Sequence, residues 1–276
     1  MSDKRYTKPI DISTSTVLIT GASSGIGLGL AKCFLNSGAS IIITGRRESQ
    51  LKKAVEELNA LGKNKVAYLV NDVEKKEDRQ ALFDWIVREH PQTNILINNA
   101  GIQQRFPIIP LEEAEKNVSW EEREKEILVN VCAPMHLSHL FIKHFRQSNR
   151  TSAIMNVSSG LAFLPLSPVA IYSATKAAIH SFTISLRYQL DNQLPNIQVY
   201  EIIPPAVQTN LGGSHAFGEP LDAYCQGTFQ RLVQGYQEVG YNHSEQLRKL
   251  RSQEEWEKAF LGLNETYSKL AQQGNH

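Results

Sequence analysis

Short apolar runs alternate with longer mixed segments through the first two thirds of the chain. Residues 17–20 are an apolar run closed by Gly21, and helical spacing follows over 26–36. The runs 41–44, 66–70, 94–97, 153–157 and 197–203 also read as strands, with helices over 48–61, 76–89 and 172–190. Continuous apolar strands separated by helices are the pattern of a parallel sheet covered on both faces. The crossovers should be right-handed. The expected architecture is α/β: a doubly wound parallel sheet, three layers, one domain. After Pro205 the alternation stops. Residues 211–220 are rich in Gly, Ser and Pro and read as a loop. Over 244–273, Leu247, Leu250, Trp256, Phe260, Leu263 and Leu270 are spread among charges, which suggests one or two amphipathic helices on the outside. The division expected is a flexible N-terminal segment over 1–14 and a single domain over 15–276. That domain includes a substrate loop at about 210–225 and a C-terminal helical extension at about 244–273.

Composition narrows the function classes. A hydrophobic fraction of 41% is ordinary for a globular core, and a net charge of +1 offers no surface for nucleic acid. The basic clusters, Arg46-Arg47 and Lys52-Lys53, are short. Three widely spaced cysteines indicate neither a disulfide framework nor a zinc site. No apolar run approaches the ~20 residues that span a bilayer. The polar first residues, with Lys4, Arg5 and Lys8, lack a secretory core, so a cytoplasmic location is expected. His136, His139 and His144 share one expected helix at uneven spacing, without a carboxylate set. They read as surface or interface residues, and no metal is expected.

Candidate chemistry begins between the first strand and the first helix, at Thr20-Gly21-Ala22-Ser23-Ser24-Gly25-Ile26-Gly27. Glycines there allow a tight turn and close approach to a pyrophosphate, and the helix start supplies free N–H groups. This is where a Rossmann-type fold places its dinucleotide loop. The spacing is G-xxx-G-x-G rather than G-x-G-xx-G, and the Lys-Ser/Thr ending of a triphosphate loop is missing. Alone, such glycines also serve packing. The second strand ends in Gly45-Arg46-Arg47, where an acid would hold the adenosine ribose of NAD. An arginine instead suits a 2′-phosphate, so NADP is expected over NAD, with Arg46 as its ligand. Arg46 as a plain surface charge is the alternative.

Tyr172 and Lys176 lie four apart on an expected helix and share a face. A phenol normally titrates near ~10, and a nearby ammonium should lower that value into the range of an acid–base catalyst. Ser159, thirteen residues earlier at a strand end, is placed to hold a substrate oxygen beside the phenol.

Taken together, T-G-A-S-S-G-I-G at 20–27, N-N-A-G at 98–101, V-N at 129–130, N-V-S-S at 156–159 and Y-S-A-T-K at 172–176 resemble the short-chain dehydrogenase/reductase superfamily in its single-domain branch. The resemblance runs over about 16–209. Residues 99–103, 158–190 and 204–213 also resemble the DltE-like sub-branch, typified by the oxidoreductase of the teichoic-acid D-alanylation operon. The resemblance implies roles. Tyr172 is the acid–base group, Lys176 holds the nicotinamide ribose and tunes Tyr172, and Ser159 orients the substrate oxygen. Asn130 holds a water that links Lys176 to solvent. Gly21, Ser23, Ser24, Gly25, Ile26 and Gly27 form the phosphate loop, and Asp72 with Val73 contacts the adenine. Asn99, Ala100 and Gly101 line the adenosine ribose, and Val207 and Thr209 bind the nicotinamide amide and a phosphate. Local alternatives remain: Asn98 and Asn99 as strand-end hydrogen-bonders, Asp72 as a helix cap, Asn130 as a locally satisfied polar residue. Most relatives carry Pro-Gly after the sixth strand. Pro204-Pro205-Ala206 here forbids the glycine conformations and implies slightly different nicotinamide geometry.

The expected activity is reversible hydride transfer between NADP and a carbonyl or secondary alcohol, run as reduction of an aldehyde or ketone. The pocket is expected between 161–166, 103–110 and 211–220, made apolar by Phe106, Phe163, Leu164 and Phe217. The alternatives are a non-catalytic NADP-binding sensor or scaffold, and a dehydratase or epimerase of the same superfamily. A homodimer or homotetramer is implied by resemblance, through helices beginning near Asn117 and Tyr172.

Overall fold

In the computed structural model, residues 4–6, 8–61, 65–105, 108–109, 118–148, 150–213 and 217–272 are described, with side chains to 266. Strands form where Ile and Val cluster, because branched side chains suit a pleated backbone buried on both faces. They are Thr16–Ile19 (β1), Ser40–Gly45 (β2), Val66–Val70 (β3), Ile95–Asn98 (β4), Ser152–Val157 (β5), Ile197–Ile203 (β6) and Glu238–Gly240 (β7). Their order is β3-β2-β1-β4-β5-β6-β7 and every pairing is parallel, as in the register Ile19↔Ile43 and Ile19↔Ile97.

Alternate residues of each strand serve opposite layers. Ile19, Ile43 and Ile97 pack under helices α1 (Gly25–Asn36) and α2 (Glu48–Leu61), through Phe34 and Leu58. Helix α3 (Lys76–Glu89) covers the other face. So does a long helix that a π-helical turn at Leu128–Cys132 divides into α4 (Trp120–Ile127) and α5 (Ala133–Gln147). With α6 (Ala170–Gln193) they bury Leu18, Ile42 and Leu96 against Leu82, Phe141 and Leu186. Burying a side chain of this size contributes about 1.5–3 kcal/mol, so both layers are needed for a stable sheet. The strand order reverses between β1 and β4, and a crevice opens at their carboxyl ends.

Three regions differ from the sequence reading. The described part of 1–14 is docked, not loose: Ile10 and Ile12 are buried, and the Tyr6 hydroxyl accepts from Val199 N–H at 2.8 Å. Beyond Pro205 the chain is ordered into α7 (Leu221–Val233) and β7, so the loop ends at Pro220 rather than near 225. Helices α8 (His243–Leu247) and α9 (Gln253–Gln272) follow. The α9 helix does more than coat the exterior. Trp256 Nε1 donates to Phe163 O (2.9 Å), Asn264 Oδ1 accepts from Ser167 N–H (2.7 Å), and Leu263 packs on Leu166, Val169 and Tyr172. Among the described residues no helix is long and apolar enough to cross a membrane.

Candidate active site

A cleft of about 1690 Å³ lies over the carboxyl ends of β1, β2, β4 and β5. Small-molecule pockets usually measure ~300–1,000 Å³, so it has room for a dinucleotide and a second molecule. Gly21, Ser23, Ser24, Gly25, Ile26, Arg46, Asp72, Val73, Asn99, Ala100, Gly101, Ser159, Tyr172, Lys176, Val207 and Thr209 all line it. Gly27 and Asn130 stand behind its wall. Phe106 and Asn117 lie outside the described residues.

The end of the cleft between β1 and α1 is built from close backbone approaches. Gly21 has φ +64°, and a Cβ there would come within 2.7 Å of Ala100 Cα, so only glycine passes this turn. A Cβ on Gly27 would meet Asn99 Nδ2 at 2.5 Å. That amide donates to Thr20 O (2.9 Å) and Gly21 O (3.1 Å), while Thr20 Oγ1 accepts from Asn99 and Ala100 N–H. Asn99 therefore stitches β1 to β4 as well as facing the cleft. Ser24 precedes α1 without a side-chain capping bond, which leaves the first-turn N–H groups and the positive helix end at the cleft.

At the other end of the phosphate loop, Arg46, Arg47, Asn71, Asp72 and Val73 form the wall. Thr44 Oγ1 and Asn71 Oδ1 are buried there without hydrogen-bond partners among the described residues. An unsatisfied buried polar atom costs about 1–3 kcal/mol, a cost that a ligand's own donors and acceptors remove. These groups, the glycine turn and the bare helix start together fit a dinucleotide. Asp72 also caps the turn before α3, since its Oδ1 accepts from Glu74 N–H at 3.2 Å.

At the reactive end Tyr172 and Lys176 are buried on α6, one turn apart. The sequence reading lowers the phenol's pKa; the structure reverses that. Burial raises it far above the ordinary tyrosine value, and a hydrogen bond with the Ser159 hydroxyl only partly opposes this. Lys176 Nζ donates to Val157 O (3.0 Å) and stands 5.4 Å from the Tyr172 ring centroid. Burial brings the ammonium down to about 8 against the pull of Glu126. Asn130 sits in the π-helical turn, where its amide donates to Ile102 O (2.8 Å) and Thr175 Oγ1 (3.1 Å) and its Oδ1 accepts from Ile102 N–H (2.9 Å). The site is thus a protonated phenol, a hydroxyl and an amine sharing one wall, an arrangement able to protonate an oxygen held against Ser159. Beside it Pro204, Pro205 and Ala206 line the cleft, and Pro204 O accepts from Gly160 N–H at 2.9 Å.

A family model described as short chain dehydrogenase matches residues 15–217. The chain belongs to that family. It is 38% identical over 244 residues to the uncharacterized oxidoreductase DltE of Bacillus subtilis (strain 168), covering 86% of this chain and 92% of that one. It is 31% identical over 202 residues to L-xylulose reductase of Caenorhabditis elegans, covering 73% and 75% respectively. The short-chain dehydrogenase from Sphingobium yanoikuyae in complex with NADPH superposes with a TM-score of 0.73 over 95% of this chain and 96% of that one, at 24% identity, a likeness of fold. Membership carries dehydrogenase/reductase activity with a nicotinamide cofactor.

Sequence reasoning passed over two buried acids near the reactive end. Glu126 is 2% exposed on α4, and its Oε1 accepts from Gln104 N–H at 2.7 Å. Its one signal was a spacing of four from Asn130. Glu201 is fully buried on β6; the Ser158 hydroxyl donates to its Oε1 at 2.5 Å, and His180 Nδ1 lies 2.8 Å from Oε2. A lone Glu inside an apolar strand was the clue. Phe163 and Leu164 do not line the cleft: Phe163 packs on His180 at 4.5 Å and Leu164 is core. Leu247 and Leu263, from beyond the family match, do line it, as does Phe217 at its edge. Two of the three helix-α5 histidines have structural partners: His136 Nδ1 accepts from Arg79, and His144 Nε2 faces Thr93 O.

Proposed function

We propose that the protein is an NADP-dependent carbonyl reductase acting on an aldehyde or ketone with an apolar body. The observation that carries this reading is the buried, protonated Tyr172 phenol, sharing its cleft wall with Ser159 and Lys176. A phenol held in its acid form suits the direction in which a carbonyl oxygen gains a proton. When bound, the dinucleotide supplies the hydride that the carbonyl carbon accepts. Ser159 holds the carbonyl oxygen, Tyr172 gives it the proton, and Lys176 fixes the ribose while Asn130 anchors the wall behind. Ser23, Ser24 and the α1 N-terminus take the pyrophosphate, and Asp72 and Val73 take the adenine. Asn99 to Gly101 take the adenosine ribose, and Val207 and Thr209 the nicotinamide end. Arg46, in a position without a competing acid, takes the 2′-phosphate.

Leu161, Leu166, Val169, Leu247 and Leu263 support an apolar substrate body, since all five line the reactive end of the cleft. The sensor alternative needs a defect in the reactive set, and the presence together of Asn130, Ser159, Tyr172 and Lys176 argues against it. Trp120 on α4, with Ile184 and Tyr188 on α6, is 60%, 43% and 75% exposed, which supports a homodimer or homotetramer assembled through these helices. The test is titration of the protein with NADPH and NADH by nicotinamide fluorescence, repeated with Arg46→Ala. NADPH binding that weakens at least tenfold in the variant while NADH binding is unchanged is the expected result, about 1.4 kcal/mol. Equal losses for both dinucleotides would remove the 2′-phosphate assignment.

A further inference from the structure

Two consecutive turns of one helix hold the loop that follows β4. Asn130 clasps Ile102 through both its N–H and its C=O, and four residues earlier Glu126 accepts from Gln104 N–H. Alternate loop amides are thus pinned, and the residue between them, Gln103, faces the cleft with Gly101 and Arg105. Asn130 is a neutral amide that meets its partners fully. Glu126 differs: it is a buried acid to which a single N–H donates among the described hydrogen bonds, where a stable buried carboxylate normally gathers two or three donors.

What faces Glu126 explains why an acid is tolerated. Across the α4–α6 contact stand the Lys176 amine and the Tyr172 phenol, both buried. From the loop, Gln104 N–H meets the carboxylate, and Arg105 of the same loop faces the cleft. On its own helix Glu122 and Lys125 pair with each other at the surface, at 2.5 Å. Lys176 has one hydrogen-bond acceptor, Val157 O, and no ion pair within contact distance among the described residues. Gly101 lies beside both Asn130 and Lys176: a Cβ there would sit 3.3 Å from Asn130 Oδ1 and 3.6 Å from Lys176 Nζ.

We propose that Glu126 is a positioning residue of the reactive site: its carboxylate fixes the cleft-lining loop through Gln104 and, from behind that loop, keeps Lys176 in its ammonium form. This inference rests on the reductase reading for the role of Lys176, but not for the coupling between the two groups. Burial lifts Glu126 to about 7, with the Gln104 N–H and Lys176 pulling the other way. The acid and the amine each favour the other's charged form near neutrality, so the pH dependence of the amine carries a contribution from Glu126. Protonating Glu126 removes the charge that supports Lys176 while its carbonyl oxygen can still accept from Gln104 N–H, so the loss of that charge is felt on the alkaline side, where Lys176 itself titrates.

Glu126→Gln separates the two functions, because the amide oxygen still accepts from Gln104 while the charge is gone. The first readout needs no cofactor. A buried acid raised above its unfolded value stabilises the fold fully below that unfolded value, near ~4.5, and the contribution is lost as pH rises through about 7. Urea midpoints at pH 5 and pH 8 should therefore show Glu126→Gln gaining on the wild type at the higher pH. The second readout is NADPH affinity and 4-nitrobenzaldehyde reduction between pH 6 and 9.5. With the supporting charge gone, the alkaline limb set by Lys176 should move down by about one pH unit. Midpoint differences that do not change with pH, or superimposable pH profiles, would overturn the proposal. Failure of the wild type to bind NADPH would overturn the reductase reading instead, and the urea series would still decide whether Glu126 is coupled to its surroundings.

Discussion

Replacing Glu201 by glutamine tests whether a charge is needed beneath the reactive strand. Glu201 is fully buried, takes a hydrogen bond from Ser158, the neighbour of Ser159, and faces His180 at 2.8 Å. Burial pulls the His180 imidazolium down, but the hydrogen bond and charge of Glu201, with Glu238 behind, outweigh it and leave its pKa raised. Glutamine keeps the volume and an acceptor for Ser158 and removes only the charge. A buried hydrogen bond to a charged group contributes about 1.5–3 kcal/mol, so a loss of about 2 kcal/mol is expected, or about 4–8 °C in Tm. The sign of the pH dependence follows from the raised histidine. Its contribution is fully present below the unfolded value, near ~6.5, and is lost as pH rises through the folded one. The Tm gap between wild type and Glu201→Gln should therefore be wide at pH 5.5 and narrow at pH 8.5. The assay is thermal unfolding at matched ionic strength and fixed protein concentration, because assembly also moves Tm. A gap of equal size at both pH values, or one that survives in a His180→Phe background, would refute the ion-pair reasoning.

Tyr172→Phe removes the proton donor while keeping the ring, and should lower turnover by at least about 10²-fold with NADPH affinity nearly unchanged; retained turnover of a reducible aldehyde would end that role. Trp256→Ala breaks the α9 hold on Phe163 O (2.9 Å), and should raise KM for bulky carbonyls several-fold while small aldehydes are affected less, a split visible in steady-state kinetics. Gly21→Ala forces a Cβ to within 2.7 Å of Ala100 Cα at a positive φ, where left-handed backbone alone costs about 1–2 kcal/mol. Loss of dinucleotide binding together with a lower Tm is expected, and unchanged titration curves would contradict it.

Much of the sheet was legible because its signal is local. Ile41 to Ile43 and Ile95 to Ile97 are buried on both faces, so the strands appear as unbroken apolar runs, and the glycine turn announces where they change direction. The elements that escaped have weak local signals. β7 is only Glu238–Gly240, held by parallel pairing to β6, and α7 carries Gly227 inside it, packed against the Tyr241 ring. The π-helical turn at Leu128–Cys132 adds a residue to one helical repeat, so no single period runs from Trp120 to Gln147. The reactive motif was readable as residue types, but the Tyr172 pKa was not. Its direction depends on how much protein covers the phenol, which includes Leu263 from α9, almost a hundred residues away in sequence. Glu126 and Glu201 carried only weak signals for a related reason: charged residues are assigned to solvated faces until the elements that bury them are known.

The segment after the two prolines has a closed neck. Ala206 O accepts from Glu219 N–H at 2.8 Å and Gln208 N–H donates to Glu219 O at 2.9 Å, so the chain before and after the loop is tied by one isolated bridge, Val207↔Glu219. A loop tied at its base is a ring whose length is thermodynamically cheap to change: doubling it costs only about 0.6 kcal/mol of closure entropy. The lining that Leu211 and Phe217 give the cleft can therefore change by insertion and deletion while the sheet, the Gly21 turn and the wall of Ser159, Tyr172 and Lys176 stay as they are.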